Sequence, residues 1–339
     1  MTATADRDVS RVAELRQRWT AHTFLTSYAS QIGITAAFIV LWLAFVTLEP
    51  DTFLSSNIYV SYGQTVAYAG LVALPLTMLI TAGDIDLSFP SVMALGMVGF
   101  IEVEEATGYV EPAILAALVI GALAGLTNGV FVALIGIPAL VVTIGTQFLF
   151  RGLTLVLTDG SASPLDDVVD TPAWEVLTGR LFDRIPMQFV WFVVVAVGFW
   201  FLMFRHRLGQ NAHVIGDNRQ AAELMGIPVR RTRITLFVLT GMAAAFAGVL
   251  LSLQVANFYP SMGAGYLLPT LAAVFVGGTS VFGGRGTIWG TFLGAFMIGG
   301  TEAGIVAVGL TDYYTNLIYG AIILVAVTIH TVLQRRFKR

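Results

Sequence analysis

The chain contains no cysteine. A disulfide framework, a metal–thiolate centre and a thiol nucleophile are thereby excluded. Charge is scarce as well. Asp, Glu, Lys and Arg make up 12% of the 339 residues, against about 25% in soluble domains. The four histidines, His22, His206, His213 and His330, are not spaced with carboxylates as a metal-ligand set. No phosphate loop of the G-x-x-x-x-G-K-[ST] type occurs. No catalytic residue, metal site or cofactor of the chain's own is therefore expected. If ATP drives this protein, another polypeptide hydrolyses it.

What fills the chain is apolar. Hydrophobic residues reach 56% and the mean hydropathy is +0.81. Apolar runs of about 18 residues or more recur along the length, the signal of membrane-crossing helices. They do not alternate in segments of about 10 residues, which excludes a β-barrel. The pattern predicts an all-α polytopic membrane protein with about ten spans: 30–48, 61–82, 87–101, 112–136, 138–158, 187–205, 234–255, 267–282, 287–309 and 313–334. Those that are short or broken by Gly and Pro are candidates for interrupted or re-entrant helices.

The 18 basic residues test this count. Arg7, Arg11, Arg16 and Arg18 lie in a polar N-terminal tail, 1–29, with no early apolar core of the kind a cleavable signal carries. Arg205, Arg207, Arg219, Arg230, Arg231 and Arg233 crowd 205–233, and Arg335, Arg336, Lys338 and Arg339 end the chain. Even numbers of spans, six and then four, separate the three clusters. All should share the cytoplasmic side, giving a coupling loop at 206–233 and a C-terminal tail at 335–339. The loops on the other side are acidic. Glu102, Glu104, Glu105 and Glu111 occupy one. The longest, 159–186, carries Asp159, Asp166, Asp167, Asp170, Glu175 and Asp183 with Trp174, and reads either as a lid or docking surface or as a plain solvated connector.

Two polar breaks interrupt the spans. In Gly83-Asp-Ile-Asp-Leu-Ser88, Asp84 and Asp86 are costly at membrane depth, which marks a cavity or a function. Capping of the helix that enters at Pro90 is the simpler reading. In Gly277–Gly286, five glycines with Thr279 and Ser280 exclude a regular lipid-facing helix and point to unwound backbone. Arg285 would snorkel or pair with an acid. The shared frame hints at a diverged internal repeat. Gln64, Asn128, Thr143 and Gln147 are uncharged polar residues inside spans, set to line a path or to bond across helices. With Asp84, Asp86, Ser88, Thr279 and Ser280 they form the candidate translocation path. Arg151 and Glu302 are the remaining charges in or near spans. Small residues in 112–136 and 234–255 predict close helix packing. Asn218–Gly226, too polar to span, predicts a short surface helix.

Five pieces make the chain resemble the permease subunit of ribose-type ABC sugar importers. They are Ile85-Asp-Leu-Ser88; Thr127-Asn-Gly129; Thr143-Ile-Gly-Thr146 with Arg151-Gly-Leu153; Gly209 to Gly226, with Gly216, Asn218 and Ala221-Ala222; and Gly277-Gly-Thr-Ser280 with Gly283-Gly-Arg-Gly286. They run in family order over roughly 60–334. The family often has a second glycine where Asp84 stands, and Val-Gly where Phe89-Pro90 stands.

The resemblance implies a type II-like importer permease in a bacterial inner membrane, multi-pass, with both termini cytoplasmic. It implies a second permease subunit, identical or paralogous, and an external solute-binding protein. It further implies a cytoplasmic ATPase, often tandem, that holds ATP and Mg. Lipid surrounds the chain and no nucleic acid is involved. The coupling segment would comprise Asn218, Ala221, Ala222, Glu223 and Gly226. The cargo implied is a monosaccharide or polyol. Three other readings stand beside it: a branched-chain amino-acid-type permease, a secondary transporter binding its ion at Asp84 and Asp86, and a membrane scaffold without transport.

Overall fold

The computed structural model describes residues 31–169, 171–307 and 312–337. The N-terminal tail with its four arginines, Asp170, and the final Lys338 and Arg339 lie outside the described residues. The long elements are α1 (Gln31–Leu48), α3 (Ser56–Thr81), α4 (Phe89–Thr107), α5 (Val110–Val130), α6 (Ala139–Leu157), α8 (Met187–Phe204), α11 (Val229–Gln254), α13 (Ile288–Ala307) and α14 (Asp312–Phe337). Shorter helices are α2 (Pro50–Phe53), α7 (Pro172–Thr178), α9 (Arg207–Asp217), α10 (Arg219–Leu224) and α12 (Leu267–Val276). A π-helical turn, Phe131–Ile135, extends α5.

Each predicted span contains a helix, and among the described residues six helices are long and apolar enough to cross a membrane by length and composition. The chain is an all-α polytopic membrane protein. The eighth span, expected over 267–282, stops at Val276, because the glycine-rich break takes over its second half.

At the centre α11 packs along α5, α4 and α3. The contact of α5 with α11 runs backbone to backbone. A Cβ on Gly121 would collide with the Gly241 carbonyl, and one on Gly125 with that of Phe237. Gly121, Gly125 and Gly129 recur every fourth residue and so share one face, which is how a small-residue stripe lets helices approach in lipid. Helix α3 is enclosed on nearly every side, whereas α1, α6 and α8 present large apolar side chains such as Val40, Phe148 and Val197 outward.

The 159–186 segment is folded rather than a bare connector. β1 (Ser163–Pro164) pairs with β4 (Asn257–Phe258), and β2 (Arg180–Leu181) with β3 (Ile185–Pro186), both antiparallel. Helix α7, capped by Thr171, packs on α8 and α11. Trp174 Nε1 donates to the Leu253 carbonyl at 3.2 Å. Leu165, Val168 and Leu177 are buried.

Candidate functional site: two helix breaks joined to a surface elbow

Both breaks are built by the same local device. Helix α3 ends at Gly83, φ +89°, with Gly83 N–H donating to Ile80 O at 2.9 Å and Asp84 N–H to Leu79 O at 3.1 Å. Helix α12 ends with Gly278, φ +83°, where Gly278 N–H donates to Phe275 O at 3.0 Å and Thr279 N–H to Val274 O at 3.2 Å. These paired bonds satisfy the last carbonyls of a helix and need a left-handed residue, which glycine supplies without strain.

Past Gly83 the chain delivers Asp84 into the interior. Its carboxylate accepts from Arg233 Nε and Nη2, each at 2.6 Å, and Arg233 Nη1 donates to Val132 O at 3.3 Å. Only 7% of the Arg233 side chain and 5% of Asp84 are exposed. Arg233 was expected among the loop charges of 205–233. It lies instead in the first turns of α11, with its guanidinium turned inward, because a buried carboxylate needs a fixed cation.

A second node gathers three of the sequence motifs. Asp86 Oδ1 accepts from Ser88 N–H and Ser88 Oγ, both at 2.7 Å. Asn128 Nδ2 donates to Ser88 Oγ at 2.7 Å and reaches Asp86 Oδ2 at 3.4 Å. Thr146 Oγ1 donates to Asn128 Oδ1 at 2.7 Å, and Thr143 Oγ1 to Ile85 O at 3.3 Å. All five side chains are buried. Ser91 Oγ bonds the Gln147 carbonyl at 2.8 Å, so Gln147 borders the node while its own side chain is half-buried. The break thus combines local capping at Ser88 with a cross-helix network. Nearby, Arg151 finds no acid but the carbonyls of Pro90 and Met262, at 2.9 and 3.0 Å, and of Pro260.

Gln64 is not part of this assembly. It lies toward the other end of α3 and contacts Gln254, which also accepts from Gln188. Thr279 and Ser280 are buried in the second break, where Ser280 N–H donates to Arg285 O at 2.8 Å. Arg285 itself is exposed, as snorkelling requires. No cluster of three or more His, Asp or Glu able to hold a metal occurs among the described residues.

The breaks meet each other through α9. Gly284 N–H donates to Thr81 O at 2.8 Å, which ties the second break to the end of α3. His213 of α9 donates from Nδ1 to Gly284 O at 3.0 Å. Gly216 sits so close to Thr81 O and Gly284 N that a Cβ there would collide with both. Helix α10 follows at once. Asn218 caps it, its Oδ1 accepting from Ala221 N–H at 3.0 Å. Ala222 is fully buried and packs with Ile215 and Val229, which anchors α10 to α9 and α11. Gly226, φ +77°, ends it. The outer face carries Glu223, paired with Arg219 at 3.4 Å. Beyond it Leu224 and Met225 stand 90% and 71% exposed. Their sequence neighbours had been singled out, but an apolar pair at the tip of a polar loop gives no periodic signal.

Comparison with known proteins fixes what this scaffold is. Residues 58–327 match the family described as "Branched-chain amino acid transport system / permease component". The chain belongs to this permease family. Among its curated relatives is the autoinducer 2 import system permease protein LsrD of Salmonella typhi, 33% identical over 302 residues, 88% of this chain and 91% of that protein. The LsrD proteins of Yersinia enterocolitica and Photorhabdus temperata are 34% and 31% identical over 294 residues, 86% of this chain and 89% and 88% of theirs. No solved structure matches. These relatives are permeases of an autoinducer 2 import system, and the amino-acid and ion-gradient readings are not favoured. The chain is a transport subunit.

Proposed function

We propose that this permease forms half of a membrane pathway that imports a small polyhydroxylated solute, with autoinducer 2 and monosaccharides as the leading cargo. The solute is handed over by an external binding protein on the side of the 159–186 segment. The pathway is completed by a second permease, identical or paralogous. An ATPase, with its ATP and Mg, docks on the face that carries α9 and α10. That face is cytoplasmic in a bacterial inner membrane, with both termini on the same side.

The observation that carries this reading is the rigid seating of the α9–α10 elbow against both helix breaks. The elbow has no slack. Gly216 rests on the Thr81 and Gly284 backbones, and α10 offers Leu224 and Met225 to a partner's cleft. Closure of an ATPase dimer would move α10 as a rigid body. The displacement would reach Thr81 and the second break directly, and so the helices on either side of them.

Uptake into liposomes holding the purified complex tests the proposal. Uptake of autoinducer 2 or D-ribose is expected to need ATP on the α10 side and a loaded binding protein, and to persist without an ion gradient. Uptake that follows the ion gradient and ignores ATP removes the ATPase from the account.

A further inference from the structure

The carboxylates of the first break are committed to Arg233, Ser88 and Asn128, and an open, partly polar space lies elsewhere in the permease. An open cleft of about 310 Å³ lies between α3, α12, α13 and α14, at the low end of the roughly 300–1,000 Å³ typical of small-molecule sites. Its polar lining is Thr65, Tyr266, Glu302, Thr315, Asn316 and Tyr319. Glu302 Oε2 accepts from the Tyr319 hydroxyl at 3.0 Å, which leaves its second oxygen as a strong acceptor facing the space. Tyr319 is 2% exposed and Tyr319 and Glu302 belong to facing helices, α14 and α13. Apolar residues such as Val66, Ala273 and Ile298 form the rest of the wall.

The position is also informative. Sixteen residues of α3 separate Thr65 from Thr81, which touches α9. At about 1.5 Å per residue that is roughly 24 Å along the helix. The cavity therefore sits in the half of the molecule away from α9 and α10, where an incoming solute would arrive first.

We infer that this cavity is a solute-binding station for a small, uncharged, polyhydroxylated molecule. Glu302 accepts hydrogen bonds from its hydroxyls, Asn316, Thr65 and Thr315 both donate and accept, and Tyr266 offers an aromatic wall. This chemistry suits a diol. An amino acid's carboxylate would find no Lys or Arg in this lining, so it would be left without a cationic partner and is disfavoured. The inference rests on the importer reading above and extends it by naming where the solute is held.

The absence of cysteine makes the test direct. Asn316→Cys gives this chain a single thiol at the exposed edge of the cavity. The complete importer carrying it is placed in liposomes, and a membrane-impermeant maleimide is applied to the face opposite the ATPase. Labelling of this chain is expected, slowed by D-ribose or autoinducer 2 and unaffected by L-leucine. In parallel, Glu302→Gln and Tyr319→Phe are expected to raise the concentration of the same probe needed for half-maximal uptake, by about tenfold or more for Glu302→Gln, the worth of one hydrogen bond to a charged group. A wild-type complex that imports neither probe overturns the solute class, and the station with it. A wild-type complex that imports normally, while both variants keep the wild-type concentration dependence, overturns the station alone. So does a thiol that stays unlabelled, which would mean lipid or the second permease fills the space.

Discussion

Asp84 and Arg233, 149 positions apart, meet through two 2.6 Å hydrogen bonds in the interior of the helix bundle. The pair joins the end of α3 to the start of α11 and commits both charges. Removing one partner strands the other without water, a loss of about 3–5 kcal/mol. Asp84→Ala and Arg233→Met should each lower the thermal midpoint of the purified permease sharply. The double variant Asp84→Leu with Arg233→Met should recover most of the loss. Tryptophan fluorescence, with six tryptophans in the chain, follows all three. Equal loss in the double variant would mean that the pair is not the source of the effect.

Asn128 is the hub of the second node, bonded to Ser88, Asp86 and Thr146. Asn128→Leu leaves buried polar groups unsatisfied and should cost about 1–3 kcal/mol. Asn128→Asp should cost more, because it sets a second carboxylate against Asp86. Thermal midpoints of the two variants compared with wild type give the order. An Asp variant more stable than the Leu variant would contradict this order.

The α5–α11 contact depends on missing side chains. Gly121→Leu forces the backbones apart at Gly241, and overpacking of this kind costs about 1–3 kcal/mol or more. Gly198→Leu is a fitting control, since nothing lies within 4 Å of a Cβ there. Yield of monodisperse protein in mild detergent should fall for the first and hold for the second.

Leu224 and Met225 touch little of their own chain. Their replacement by serine should shift stability by no more than about 0.5 kcal/mol, as for exposed positions elsewhere. Association with the ATPase should nonetheless weaken, because a few central side chains carry most of the energy of such contacts. A pull-down titrated with ATPase reads the change. Replacing Glu223 and Gly226 with bulky residues should uncouple ATP hydrolysis from uptake, and unchanged uptake would remove α10 from the coupling path.

The spans were legible because membrane helices must be apolar throughout, a constraint that a single sequence displays. The breaks were legible for the complementary reason. Carboxylates and clustered glycines are costly in lipid, so Asp84, Asp86 and Gly277–Gly286 stand out. Their partners did not stand out. Nothing local to Asp84 points to Arg233, and an arginine at the edge of an apolar run looks like a loop charge until tertiary packing turns it inward. The halving of the eighth span was hidden because hydropathy does not distinguish Val276, which ends α12, from Val281 beyond it. Gln64 was grouped with the break residues by polarity alone, and depth along α3 separates them. The Glu302–Tyr319 pair was missed because its two members are on different helices and neither belongs to a motif.

The central claim is that this chain works only as part of an ATP-driven assembly. Affinity purification of the chain from its native membranes in mild detergent, with mass spectrometry of what accompanies it, tests that most directly. The account predicts a stoichiometric ATPase together with a second permease copy or paralogue, the ATPase alone being lost when Leu224 and Met225 are changed to glutamate. A stable, monodisperse chain that purifies alone, with the ATPase absent from wild type and variant alike, would contradict it.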